Sequence, residues 1–238
     1  MKKLQFKDLI VFEDEDYLII NKPPHMSTLD DRASEGKDNI IGMAKDYLES
    51  AQVCHRLDKE TSGILAIAKN PEAYRHLAIQ FEKRQVNKVY HAVIGGIQEY
   101  KDTLVDRAIL PNRTGTVKID LKGKPAQTYF KTLKIYKAHT LIEARPVTGR
   151  MHQIRIHLAV LGSPIVQDEQ YGGKPVFLSQ IKRHFNLKKY EEERPLISRV
   201  ALHAHALHFK LLNGETQIVE APYPKDMRAL VNQLEKNT

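Results

Sequence analysis

Strand-like and helix-like stretches follow one another along this chain without the regular alternation that builds a parallel, doubly wound sheet, and that order restricts it to an α+β arrangement. Leu9 to Phe12 and Tyr17 to Asn21 read as strands around the acidic turn Asp14-Glu15-Asp16. Pro23-Pro24 ends the second strand, because proline cannot donate to a ladder. Ile40, Ile41, Ala44, Tyr47 and Leu48 share one face of a helix, as do Tyr74, Leu77, Ala78 and Phe81 after Pro71, a favoured first-turn residue. The apolar run Ile64 to Ala68 reads as a short buried strand, and Val89 to Ile94, Thr128 to Tyr136 and Thr140 to Pro146 as further strands. Strict alternation in the stretch from Thr128 puts Lys131 and Lys134 on opposite faces. The spacing predicts a helix over Gln153 to Leu161 ended by Gly162, and a second one around Phe177 to Lys188. Lys182, Arg183, His184, Lys188 and Lys189 make that second segment a candidate surface for a polyanion or an ordinary solvated face. Val200 to Leu212 reads as a strand, and Lys225 to Leu234 as a helix with Met227, Leu230, Val231 and Leu234 on one side. The expected fold is a mixed, largely antiparallel β-sheet with peripheral helices.

A chain of 238 residues fits one large domain or two small ones; the lack of a low-complexity linker or repeat favours one. The 37 Lys and Arg against 29 Asp and Glu give a formal charge of +8, which suits a polyanionic partner without identifying one. Cys54 is the only cysteine, so no intramolecular disulfide can form, and a buried, inert thiol is the expected role. The apolar stretch near the N-terminus is broken at Lys7-Asp8 before a signal core forms, and no apolar run reaches the ~20 residues of a membrane span. A soluble, cytoplasmic monomer without an obligate protein partner is expected.

The chemistry-bearing string is His55-Arg56-Leu57-Asp58-Lys59-Glu60-Thr61-Ser62-Gly63, immediately ahead of the buried run. It places one carboxylate on a loop at a strand entrance, where the scaffold holds it open to a ligand. Alone, an Asp three residues before a Thr and five before a Gly is more often a turn or cap residue. Further stretches join it in order: Val11 to Pro23 with Asn21-Lys22-Pro23, then Lys88-Val89-Tyr90, then Thr148-Gly149-Arg150-Met151-His152-Gln153-Ile154-Arg155-Ile156-His157-Leu158. That last run continues through Gly162-Ser163-Pro164-Ile165 to Asp168 and Tyr171-Gly172, and Leu202-His203-Ala204 follows late in the chain. In order and in letters, from about Leu9 to about Pro224, these stretches resemble the motifs of the RluA-type pseudouridine synthases, which isomerise uridine to pseudouridine in structured RNA.

The resemblance implies a bent mixed sheet with a basic cleft across it, in a single catalytic domain over residues 1–238 (core about 9–224), without the S4-like RNA-binding domain that many relatives carry ahead of it. It implies structured ribosomal or transfer RNA as substrate. Asp58, Tyr90 and Arg155 take the catalytic positions: Asp58 as nucleophile or charge stabiliser, Arg155 as its cationic partner, Tyr90 as the ring on the target base. His55, Arg56, Arg150, His152 and Gln153 fall where substrate is bound, with Arg150 suited to phosphate and Arg56 to the space vacated by a flipped nucleotide. Read only from their surroundings, Arg155 fits a helix-surface charge and Tyr90 a core tyrosine. Gln167 before Asp168, where the family usually has Gly, and His91 after Tyr90 depart from the pattern.

Converting uridine to pseudouridine breaks the bond from ribose C1′ to base N1 and joins C1′ to C5. The change is redox-neutral and adds no atoms, so no cofactor or metal is expected. Carboxylates serve in covalent catalysis at sugar carbons, which gives Asp58 a chemical basis beside the resemblance. A carboxylate enclosed in a pocket stays ionised more readily beside a guanidinium, which also orients it. Eleven histidines raise a metal reading, but on a strand His203 and His205 share a face that His208 leaves, and His152 and His157 miss the i, i+4 spacing of helical zinc ligands. A noncatalytic RNA-binding module of the same fold is the other alternative.

Overall fold

The computed structural model describes residues 4–29, 39–187 and 191–238. In chain order the elements are β1 (Ile10–Glu13), β2 (Tyr17–Lys22), α1 (Ile40–Tyr47), β3 (Gln52–Val53), β4 (Ser62–Ala68) and α2 (Pro71–Glu82). There follow β5 (Asn87–Gly95), β6 (Thr103–Asp106), β7 (Ile109–Pro111), β8 (Val117–Ile119), β9 (Gln127–Ile135) and β10 (His139–Pro146). The last are α3 (Gln153–Val160), α4 (Leu178–Ile181), β11 (Leu202–Lys210), β12 (Thr216–Glu220) and α5 (Lys225–Lys236). They divide into two compact units, one of residues 1–89 with 203–222 and one of residues 90–202 with 223–238.

In the first unit β4 is central and every one of its seven residues is buried. β2 pairs with it antiparallel from Tyr17↔Ala68 to Lys22↔Gly63, and β1 pairs in turn with β2. β3 pairs with its far end, while β11 pairs parallel to its start through His203↔Ser62 and Ala204↔Gly63; β12 completes a hairpin with β11. A strand buried on both faces explains why Ile64 to Ala68 is a continuous apolar run rather than an alternating one. α2 covers the sheet with Ala73 and Leu77 against Tyr17, Ile19, Ile64 and Phe209. Its start is set by Asn70, whose Oδ1 accepts from Ala73 N–H at 2.8 Å, a cap worth about 1 kcal/mol.

Gly63 marks a close backbone approach in this unit. Its φ is +112°, and a Cβ there would lie 2.1 Å from the Ala204 carbonyl oxygen. Gly63→Ala is therefore expected to cost about 2–5 kcal/mol, combining backbone strain with overpacking. Gly95→Ala, whose Cβ would meet nothing within 4 Å, should leave the urea midpoint nearly unchanged. Equal midpoints for the two variants would refute the steric explanation.

The second unit takes β5 from Tyr90 onward and pairs it antiparallel with β10, then β9, then β6; β7 and β8 form a separate hairpin. Its core gathers Val93, Ile94, Phe130, Ile142, Leu158 and Ile165 with Met227, Leu230 and Leu234 of α5. The expected α5 face is buried as read, with Val231 at its margin. Buried Arg199 fastens this helix, donating from Nε to Asp226 Oδ2 at 2.7 Å.

These elements bear out the expected α+β class with largely antiparallel pairing, and they correct it in detail. The second helix is only the four residues of α4: Lys182 is already extended and His184 has φ +53°. In that helix only Ile181 is buried, and none of the described residues that follow it, 182–187, is buried; Lys188 and Lys189 lie outside the described residues. A register shift between β9 and β10 leaves Leu133 as an extra residue, so strict alternation fails and Lys131 and Lys134 are both exposed. No described helix is long and apolar enough to cross a membrane.

Candidate active site

In the first unit Asp58 lies partly buried on the loop that enters β4, and its carbonyl accepts from Thr61 N–H at 3.0 Å. Both flanking residues are tied down, one by the segment that follows β2 and the other by the last residue of β2. The Thr28 hydroxyl donates to the Leu57 carbonyl at 2.9 Å and accepts from Leu57 N–H at 3.2 Å. On the other side the fully buried Lys22 ammonium donates to the Lys59 carbonyl at 3.2 Å, and to those of Pro23 and Met26 at 3.0 and 2.9 Å. Burying an ammonium is costly unless it is hydrogen-bonded, and three carbonyls meet that demand while holding the backbone around Asp58.

Downstream, Ser62 donates to His203 Nδ1 at 2.9 Å, and His203 Nε2–H donates to the Ala221 carbonyl at 3.1 Å. With both ring nitrogens engaged in the protein, His203 locks the strand start rather than presenting a metal ligand. Cys54 was expected to be buried and is half-buried against the core of this unit; desolvation pushes its thiol up to about 12, so it stays protonated at neutral pH.

His55 sits on this loop with its ring against Phe81, and its Nε2 accepts from Ala66 N–H at 3.0 Å. Burial, with a smaller contribution from the Lys88 ammonium, lowers its pKa to about 3. The imidazole therefore carries its proton on Nδ1 and pins the loop to β4. Because the folded pKa lies below the unfolded value of ~6.5, this group contributes its full stability above pH 6.5 and loses it as pH falls toward 3. His55→Gln keeps an acceptor for Ala66 but removes the titration. Its melting temperature should fall less than the wild type's between pH 6.5 and 4; parallel curves would contradict the assignment. Arg56, one residue on, is exposed.

In the second unit Tyr90 is partly buried against the core, opposite Ala144 of β10. The neighbouring His91 Nδ1 meets the Tyr223 hydroxyl at 2.6 Å; burial raises that phenol to about 12, which keeps its proton on the oxygen. The third motif forms the turn into α3. Buried Gln153 accepts at Oε1 from the Thr148 hydroxyl (2.7 Å) and Arg150 N–H (2.9 Å). Its Nε2 donates to the Gln127 carbonyl (2.9 Å) and Thr128 Oγ1 (3.0 Å). Thr128 in turn donates to His157 Nδ1, whose Nε2–H reaches the Arg107 carbonyl at 3.1 Å. Gln153 thus shapes the motif from within, with both ends of its amide engaged. Arg150 is half-buried and donates from Nε to the Pro125 carbonyl at 3.1 Å.

Arg155 is only 8 % exposed, which excludes a helix-surface charge. Its Nε and one terminal nitrogen form a bidentate pair with Asp168 at 2.8 and 2.7 Å, and that terminal nitrogen also donates to Gln170 Oε1 at 2.9 Å. The guanidinium carbon lies 5.0 Å from the centre of the Tyr171 ring. His152, the residue ahead of α3, has left-handed backbone (φ +51°), a cost of roughly 1–3 kcal/mol for a non-glycine residue. Its Nδ1 meets the Tyr171 hydroxyl at 2.8 Å.

The structure therefore places His55, Arg56 and Asp58 in the first unit, and Tyr90, Arg150, His152, Gln153 and Arg155 in the second. It adds holding residues that the sequence reading left without a role: Lys22 and Thr28 around Asp58, and Asp168, Gln170 and Tyr171 around Arg155. Lys22, Asp168 and Tyr171 lay inside the recognised motifs, whereas Thr28 carried no local signal.

Residues 16–160 match the family described as RNA pseudouridylate synthase. The chain is 34% identical over 175 residues to ribosomal large subunit pseudouridine synthase C of Vibrio vulnificus, a match covering 73% of this chain and 56% of that protein. It thus spans little more than half the length of this curated relative. An uncharacterised RNA pseudouridine synthase of Zymomonas mobilis is 33% identical over 223 residues, covering 91% of this chain and 94% of that protein. The solved structure of human RNA pseudouridylate synthase domain containing 4 superposes with a TM-score of 0.72 over 97% of this chain and 94% of that one. At 21% identity, that likeness shows a shared fold.

Proposed function

Because the chain belongs to the RNA pseudouridylate synthase family, we propose that it isomerises uridine to pseudouridine in structured ribosomal or transfer RNA, acting as a single catalytic domain. The observation that carries this reading is the mounting of Asp58: a partly buried carboxylate on a loop whose flanking residues are both tied down, Leu57 by Thr28 and Lys59 by Lys22. An RNA-binding surface has no use for a fixed anion facing a polyanion, whereas covalent or electrostatic chemistry at a sugar carbon requires one.

In this reading Asp58 serves ribose C1′ or base C6 while the N1–C1′ bond breaks and the C5–C1′ bond forms; the C5 proton leaves to solvent and N1 takes up a proton from solvent, so that the product is an isomer. Arg155 supplies fixed positive charge at the reacting centre. The target uridine is extruded from the RNA at a cost of a few kcal/mol. Stacking on Tyr90, worth ~1–3 kcal/mol, offsets part of that cost, and Arg56 takes up the vacated space. Arg150 and His152 meet the backbone near the target.

Tritium release from unmodified ribosomal and transfer RNA labelled at uridine C5 tests the reaction class. The wild-type protein should release tritium without an added cofactor. RNA binding without release from either pool would favour the noncatalytic module.

A further inference from the structure

Tyr171 touches three things that the proposed chemistry needs held together. Its ring lies under the Arg155 guanidinium, 5.0 Å from centre to carbon. Its hydroxyl meets His152 Nδ1 at 2.8 Å, and the two rings pack edge to face at 5.7 Å. The same hydroxyl accepts from the backbone N–H of Val117, the first residue of β8, at 3.0 Å. The hairpin so engaged shares a small apolar core with this corner: Ile109, Val117 and Ala126 pack with Met151, Ile156 and Tyr171.

That hairpin is strongly basic. Between residues 107 and 124, Arg107, Arg113, Lys118, Lys122 and Lys124 are exposed, against the single carboxylate of Asp120, which pairs with Lys118 at 2.8 Å. An arm of this charge is suited to a phosphate backbone. The corner itself is stiff. Gly173 lies so close to the turn that a Cβ would come within 1.9 Å of the Ile165 carbonyl oxygen, which fixes the path of the chain through Asp168 to Tyr171.

We propose that Tyr171 is a positioning residue: its ring sets the plane of Arg155, and its hydroxyl locks the basic β7–β8 arm and the His152 turn to that plane, so that RNA seated on the arm is registered against the arginine. The inference rests on the isomerase reading above. It assigns the two halves of one side chain to different kinetic parameters. The hydroxyl governs how RNA is seated, and the ring governs how Arg155 is presented.

The test compares Tyr171→Phe and Tyr171→Leu in steady-state tritium release, with melting temperature and amide exchange at Val117 measured on the same preparations. Tyr171→Phe keeps the ring and loses the hydroxyl bonds. It should raise KM about tenfold and lower kcat only about threefold, with faster exchange at Val117. Tyr171→Leu should show the same rise in KM with kcat lowered about a hundredfold, as the guanidinium loses its stacking surface. Two variants that lose kcat by one common factor in step with their folded fraction, with KM unmoved, would reduce Tyr171 to a packing residue. So would wild-type values of both parameters in both variants. If the wild type releases no tritium, the isomerase reading fails and takes this inference with it, whereas an active wild type confines any failure to Tyr171.

Discussion

Asp58→Asn should fold as the wild type does, bind RNA with unchanged affinity and release tritium at least about a thousandfold more slowly, a barrier increase of about 4 kcal/mol. The expectation combines two features of the loop. The Thr28 hydroxyl, the Lys22 ammonium and Thr61 N–H donate to main-chain carbonyls around residue 58, and these three bonds do not use the carboxylate, so the isosteric amide leaves them in place. The chemistry, in contrast, requires a full negative charge or a nucleophilic oxygen, and an amide supplies neither. Comparing single-turnover release with the RNA dissociation constant separates the two. Retained turnover would remove Asp58 from the reaction, and lost binding would assign it to recognition instead.

Arg155→Ala carries the second large effect, and it acts on the fold as well as the reaction. Asp168 is 1 % exposed and accepts both bonds of a bidentate pair from Arg155, so truncating the arginine strands a buried carboxylate. Breaking a buried pair in this way typically costs about 3–5 kcal/mol. At roughly 2–4 °C per kcal/mol for a chain of this size, the melting temperature should fall by about 6–20 °C. Lost activity in that variant alone would therefore be ambiguous. The double substitution Arg155→Met with Asp168→Leu removes both charges together, and apolar replacement of a buried pair is often neutral or stabilising. It should recover most of the lost melting temperature and none of the lost turnover. Recovery of both would show that Arg155 serves only the fold.

The two residues illustrate how differently a site can be written in a chain. Asp58 was legible because the charged string before an apolar run places a carboxylate at a strand entrance, and because that string resembles a known motif. Arg155 was legible only through the resemblance; within Gln153-Ile154-Arg155-Ile156-His157, helical spacing alone suits a solvated arginine. Its burial follows from Asp168, thirteen residues further on, which no local pattern connects to it. Gln153 is similar: the string placed it near substrate, while the fold closes its amide around Thr148, Gln127 and Thr128. The basic segment after Phe177 failed as a long helix because apolar positions beyond Ile181 are too few to anchor another turn. The short strands β3, β7 and β8, of two or three residues each, lack enough residues to display a period, so they exist through their partners.

The sequence by itself determined which stretches are strands and helices wherever an apolar period ran for a full element. It also determined the α+β class, and the ordered motifs determined family membership. These follow from local physics: the spacing of apolar residues, the caps and breakers at their ends, and the letters of short strings. Only the tertiary structure decided how the functional groups are held. Thr28 and Lys22 meet the loop of Asp58 from 29 and 37 residues away, Asp168 faces Arg155, and the Tyr171 hydroxyl reaches Val117 across 54 residues of chain. Hydrogen bonds and ion pairs form between atoms that the fold brings within about 3 Å. Their partners depend on where distant backbone is delivered, which a one-dimensional pattern does not encode.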